Sequence, residues 1–159
     1  MIQIRPAQYS EAALIYQFIR DKAEFDRSIG AYSGTIQTTI AKIQETIFGN
    51  CPYASVLLAE SEESAIGFAL YGFKYSSFVG QPSLWLDDLF VNPDMRNRGA
   101  GTLLMNQLQQ IARNSKCSHL AWTADTRNLK GLRFYLRLGA EIIEQKEHRV
   151  EFFWRDCFD

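Results

Sequence analysis

Cysteine is scarce and odd in number in this 159-residue chain: Cys51, Cys117 and Cys157 form no C-x-x-C pair. A disulfide framework or a cysteine zinc site is thereby excluded as the organising device. All three read as ordinary core or surface thiols, since nothing nearby would activate a thiolate. An excess of one charge is also missing. The net charge is −1 and the pI about 6.1, so no global field draws the chain to nucleic acid or to an anionic membrane. No apolar run approaches bilayer-spanning length, and the start Met1-Ile2-Gln3-Ile4-Arg5 has no signal-peptide pattern; a cytoplasmic protein is the expectation. Repeats, low-complexity tracts and linkers are absent, so residues 1–159 read as one domain. His119 and His148 have no partner at catalytic spacing and read as structural or surface residues, and no metal site is expected. What is present is 47% apolar against 22% charged residues, enough for a sizeable core.

Residues 2–4 alternate and stop at Arg5-Pro6, a short first strand. Leu14, Ile15, Phe18 and Ile19 share one face of a first helix over 11–26. Gly30 and Gly34 break the segment after it. Ile36, Ile40, Ile43 and Ile47 then recur at helical spacing and predict a second helix from Thr35, ended by Gly49-Asn50 and Pro52. Residues 55–60 and 65–73 read as strands across the polar turn 61–64, followed by a loop over 74–83. A strand over 84–91, a helix over 101–113 and a strand over 119–124 imply a parallel, right-handed crossover. The last helix covers 128–138, with Leu129, Leu132 and Leu136 inward and Gly139 at C′. A terminal hairpin joins 140–144 to 149–154. The order is that of one α/β domain around a mixed, mostly antiparallel sheet. Phe152, Phe153 and Trp154 are consecutive, more than one buried face can absorb, which points to a partner surface.

The chain is organised around 84–101. Its apolar residues change parity, Leu84 and Leu86 in one phase and Leu89 and Val91 in the other, as a β-bulge near Asp87-Asp88 would produce. Two carboxylates inside a strand are hard to justify as packing. Downstream, Gly99 and Gly101 open a helix, where backbone N–H groups and the positive dipole end suit a phosphate.

The spacing Arg96-x-x-Gly99-x-Gly101 resembles the pyrophosphate loop of the GNAT superfamily of N-acetyltransferases. The likeness extends over nearly the whole chain, from the Ile-Arg-Pro-Ala start to Phe134-Tyr135-x-x-x-Gly139. Leu86-Asp87-Asp88-Leu89-Phe90-Val91 is most similar to the spermidine/spermine (diamine) and thialysine N-acetyltransferase branch. The resemblance implies about seven strands and about four helices, with a splayed parallel pair holding acetyl-CoA. It implies that Leu89, Phe90 and Val91 lend backbone groups to the pantetheine arm. Arg96, Asn97, Arg98, Gly99, Ala100, Gly101 and Thr102 would wrap the pyrophosphate, and Asn128 would hold the pantetheine from the facing strand. Tyr135 stands at the family's general acid. Phe25, Asp26, Asp87, Asp88 and Glu147 would contact a small cationic acceptor, and a homodimer is implied.

An alkylammonium with a pKa of about 10 must lose a proton before attack; Asp87, directly or through water, is the candidate acceptor. Leu89 N–H would face the developing oxyanion, and Tyr135 O–H the departing thiolate. Asp88 reads equally as a substrate contact or a buried structural carboxylate. Three departures from the branch bear on the acceptor. Asp87 stands for Glu, Phe25 lacks a hydroxyl, and Ser76-Ser77-Phe78 replaces Asp-Pro-Trp. A protein or peptide amine is the alternative acceptor, and a non-catalytic CoA sensor the alternative of another class.

Overall fold

Short reversals between apolar runs build most of the sheet. The computed structural model describes residues 1–155, so Cys157 lies outside the described residues. β1 (Ile2–Pro6), β2 (Ser55–Ser61), β3 (Ser64–Ser76) and β4 (Gln81–Val91) pair antiparallel in sequence order. β4 meets β5 (Leu120–Asp125) in parallel, and the terminal hairpin β6 (Glu141–Lys146) and β7 (Arg149–Trp154) completes the order β1-β2-β3-β4-β5-β7-β6. Glu62 and Glu63 both take left-handed backbone (φ 51° and 63°), the conformation a two-residue hairpin turn requires.

Strand alternation sorts the side chains into two cores. α1 (Ala12–Ser28) and α2 (Ile40–Phe48) cover one face, where Ile15, Phe18 and Ile43 meet Val56, Leu58, Phe68 and Phe90. α3 (Ala100–Asn114) and α4 (Leu129–Arg137) cover the other, where Leu104, Met105 and Leu108 meet Leu57, Leu84, Leu86, Leu120 and Phe152. The expected class, seven strands with one parallel pair and four helices, is what the described residues form.

The details depart from expectation in four places. Residues 74–83 are largely strand: the ladder continues through Lys74↔Ser83 to Ser76↔Gln81, and Lys74 Nζ lies 3.5 Å from the centroid of the Trp85 ring. The second helix starts at Ile40, because the Thr39 hydroxyl accepts the Lys42 N–H (3.1 Å) and caps it; periodicity alone overran that start. The inward stripe of α4 is rotated. Leu129 and Leu136 are 60% and 51% exposed, and Leu132, Phe134, Tyr135 and Leu138 pack instead. Tyr135 finds aromatic partners in Trp122 and Phe152, with ring centroids 5.0 Å and 5.3 Å apart, and this preference sets the helix phase. Lastly, the aromatic run of β7 is absorbed within the chain. Phe152 and Trp154 are buried, Phe153 stacks on His119 at 4.0 Å, and β7 is interior, so among the described residues this run forms no exposed aromatic edge.

Gly139 does sit at C′ with φ 91°. Ala140 N–H donates to Tyr135 O and Gly139 N–H to Leu136 O, a paired closure that fixes the end of α4. No helix among the described residues is long and apolar enough to cross a membrane.

Gly67 lies opposite Val91 on the β3–β4 ladder. A Cβ there would stand 2.6 Å from Phe90 O and 3.1 Å from Val91 Cα. Backbone cannot yield as a side chain can, so Gly67→Ala must push β3 away from the end of β4. Urea unfolding should show a loss of about 1–3 kcal/mol; an unchanged midpoint would mean that the strands separate freely here.

Candidate functional site

The site begins at a fault in the sheet. Leu70 pairs with Asp88 but Tyr71 with Leu86, leaving Asp87 as the extra residue of a bulge. The bulge preserves facing across the parity change: Leu84, Leu86, Leu89 and Val91 all meet the α3 core, and Phe90 the α1 core. On its other edge β4 pairs with β5 only at Leu84↔Leu120 and Trp85↔Ala121. Past that point β4 runs on to Val91 while β5, bonded to β7 along the whole of its other edge, pairs with β4 no further, so residues 86–91 have an edge without a ladder partner among the described residues.

A 3₁₀ turn (Pro93–Met95) leads from β4 into the loop before α3. Asn97 (φ 60°) and Gly99 (φ 90°) are left-handed and flank Arg98, an alternation that turns successive amides to one side. Regular bonding resumes at Leu103, whose N–H donates to Gly99 O (3.0 Å). Between them the amides of Asn97, Arg98, Gly99, Ala100, Gly101 and Thr102 have no acceptor among the described residues. The two glycines serve different needs. Gly99 has open space around it and is required for its φ. At Gly101, a Cβ would press on the Phe134 ring at 3.2 Å, so its lack of a side chain lets α3 approach α4.

The two loop arginines part company. Arg96 turns inward: Nε donates to Val91 O (2.9 Å) and the guanidinium lies 5.3 Å and 5.4 Å from the Phe25 and Phe90 ring centroids. Partial burial moves its pKa down from the usual arginine value. Arg98 is exposed and makes no ion pair among the described residues. Asn128 caps α4, its side-chain oxygen accepting the Gly131 N–H at 3.0 Å. The expected pantetheine contact would therefore fall to its amide nitrogen, which has no partner among the described residues.

Tyr135 stands between Trp122, Phe152 and Phe134, and its hydroxyl makes no hydrogen bond among the described residues. Burial raises its pKa above the ordinary phenol, and the charges of Asp88 and Asp26 raise it further. The phenol is thus held protonated, within the field of the acids on the α1 side. The Trp122 Nε1 beside it is buried without a partner among the described residues.

Those acids border an open cleft of about 430 Å³ between α1 and the following loop, with Lys22, Asp26, Tyr32, Ile36 and Asp88 on its wall. Lys22 Nζ lies 2.6 Å from Asp26 Oδ2 and 3.5 Å from Asp88 Oδ1. Burial pushes the Asp88 carboxyl up to about 6, opposed by Lys22 and assisted by Asp87 and Asp26. Burial also works against the Lys22 charge, but its two carboxylates outweigh that and its pKa ends above the ordinary value. Asp87 is exposed at the bulge.

Two expected acceptor contacts lie elsewhere. Phe25 stacks under Arg96 and does not line the cleft, because the loop guanidinium claims its ring. Glu147 is exposed in the β6–β7 turn with left-handed backbone (φ 54°) and is likewise off the cleft wall. Lys22 was not anticipated. Its spacing four residues before Asp26 on an α-helix was the available signal.

Residues 15–140 match the acetyltransferase (GNAT) family model. A thialysine N-epsilon-acetyltransferase of Mus musculus is 29% identical over 158 residues, covering 94% of this chain and 90% of that protein. The human spermidine/spermine N(1)-acetyltransferase-like protein 1 is 27% identical, covering 91% of this chain but 21% of its own greater length. The crystal structure of the PaiA N-acetyltransferase from Thermoplasma acidophilum, in complex with coenzyme A, superposes with a TM-score of 0.73 at 15% identity, covering 98% and 99% of the two chains.

Substitution should separate the two arginines. Arg98→Ala is expected to weaken coenzyme A binding in calorimetry, to flatten its salt dependence and to leave the urea midpoint in place. Arg96→Ala, which strips a carbonyl and two rings of their partner, should cost about 1–2 kcal/mol of stability. A stability loss at Arg98 with none at Arg96 would reverse the assignment.

Proposed function

This chain belongs to the acetyltransferase (GNAT) family and is an N-acetyltransferase, and within that family we propose that it transfers acetyl from acetyl-CoA to a primary amine of a small cationic acceptor. Diamines, polyamines and lysine analogues are the candidate acceptors, and the cytoplasm the place of action. The observation that carries the reading is the run of unpartnered amides at 97–102, continuous with the unpaired edge of β4, beside a cleft walled by Asp26 and Asp88. The names of the thialysine and spermidine/spermine relatives agree with an amine acceptor.

The residues fit acetyl-CoA on grounds of donor chemistry. Consecutive amides at a helix N-terminus, with the Arg98 charge, suit a pyrophosphate. The free edge of Leu89, Phe90 and Val91 suits an amide-bearing arm lying alongside as an added strand. Asn128 amide nitrogen is a further donor. The ligand supplies an acetyl thioester; the protein supplies position and proton management. Asp87, exposed at the bulge, takes the proton of the incoming ammonium directly or through water. Leu89 N–H, next to the bulge, is the donor for charge developing on the carbonyl oxygen. Tyr135, kept protonated by its burial and the neighbouring acids, gives a proton to the departing thiolate. Asp88 supplies negative charge that draws the acceptor in.

A homodimer is part of the proposal, resting now on the sheet edge. All of β6 is exposed, Ile142 and Ile143 among it, and it is a terminal strand of the sheet. Light scattering at micromolar concentration should give twice the chain mass, and Ile142→Glu should reduce it to one.

Thiol release from acetyl-CoA should require an added amine. Tyr135→Phe should lower kcat by about 10²-fold or more with coenzyme A affinity nearly unchanged, and Asp87→Asn should lower kcat as strongly. Asp88 gains its proton as the pH falls through about 6. Since the acceptor remains cationic there, its KM should rise on the acid side, and Asp88→Asn should remove that inflection. Coenzyme A binding without release from any small amine or peptide would leave a sensor as the surviving reading; release with peptides alone would move the acceptor to a protein amine.

A further inference from the structure

Three charged side chains line the acceptor cleft, Lys22, Asp26 and Asp88, and one has the wrong sign for a cationic guest. Lys22 is no bystander on the rim. Its side chain is 25% exposed, as is that of Asp26, and that of Asp88 is 22% exposed. It reaches both carboxylates from α1, one turn before Asp26, at 2.6 Å and 3.5 Å. With all three ionised, two negative charges and one positive leave the cleft a net −1. The ammonium stands at the carboxylates where a second ammonium of a diamine or polyamine would otherwise be stabilised.

We infer that Lys22 is a specificity-determining residue that matches the cleft to acceptors of one net positive charge and disfavours multiply charged amines. The inference rests on the amine-acceptor reading above and narrows it. Its physics is ordinary. Each further ammonium brought into a partly desolvated cleft needs a counter-charge, and the protein has already assigned one of its two carboxylates to its own lysine. Repulsion of the unwanted guest by a fixed like charge is as effective a source of selectivity as attraction of the right one. Two acceptor chemistries carry one net charge: a monoamine, and a diamino acid whose carboxylate offsets its second ammonium. For the second, the Lys22 ammonium is also a partner of suitable sign for the carboxylate.

The test is a charge series of acceptors at constant ionic strength: a monoamine, a diamino acid, a diamine and a triamine, compared by kcat/KM. The native protein should prefer the first two over the diamine by about tenfold or more. Lys22→Met keeps an unbranched stem and removes the charge; it should shrink or invert that ratio by about tenfold, with the largest gain on the diamine. Lys22→Arg keeps the charge and should keep the order of preference. An unchanged ratio in an active, folded Lys22→Met protein overturns the inference, as does a native preference for the triamine. If the native protein turns over none of these amines, the amine-acceptor reading fails separately. Calorimetric affinities of the same series in the presence of coenzyme A then decide the role of Lys22: dependence on net charge that vanishes in Lys22→Met upholds it, and the same order in both proteins rejects it.

Discussion

A strand that stops pairing with its neighbour partway along its length leaves backbone donors and acceptors to be satisfied by something else. That constraint governs this molecule. β4 is bound to β3 along its whole length but to β5 only at Leu84 and Trp85, so the residues beyond keep one edge open. Nothing in the α3 core could occupy that edge without burying polar groups. The loop at 97–102 continues the same deficit of partners around the corner into α3. An extended ligand with amides at one end and anionic groups at the other would answer both halves at once, and on the proposed reading the cofactor would stand in for the missing piece of secondary structure.

The bulge at Asp87 makes the open edge usable. Without the extra residue, Leu89 and Val91 would face the α1 side and Asp88, in phase with Leu84 and Leu86, would face the α3 core, where an unpaired carboxylate could not be tolerated. With it, the apolar residues remain covered and the carboxylates are divided, Asp87 toward solvent and Asp88 toward Lys22. Two adjacent acids of identical type thereby acquire different surroundings. The electrostatics of the cleft follow from one backbone irregularity combined with one lysine on a helix.

Features written in local pattern were legible in the sequence. The parity change of Leu84, Leu86, Leu89 and Val91 marks the bulge because facing is dictated by a period of two. Glycine spacing marks the loop because left-handed backbone and close approach both select against a side chain. Gly139 marks the end of α4 for the same reason. What escaped depends on contacts between distant segments. The phase of α4 is chosen by Trp122 and Phe152, the covering of Phe153 by His119, and the inward turn of Arg96 by Phe25 and Phe90; no window of neighbouring residues contains those pairs. Lys22 illustrates the limit. Its pairing with Asp26 is a helical spacing, but its approach to Asp88 exists only once α1 lies across β4.

The contact between Gly101 and Phe134 has a consequence for how the two ends of the site are gauged. Gly101 belongs to the run of unpartnered amides, and Phe134 is the chain neighbour of Tyr135, so on the proposed reading the contact between them would work as a calliper. The absence of a side chain at Gly101 lets the first turn of α3 come close to the residue before Tyr135. On the proposed reading, a thioester arm held by its phosphates would be matched to Tyr135 by its length. Ligands with a shorter or longer arm would seat their phosphates equally well and present the wrong atom, a form of selection that requires no contact with the arm's interior.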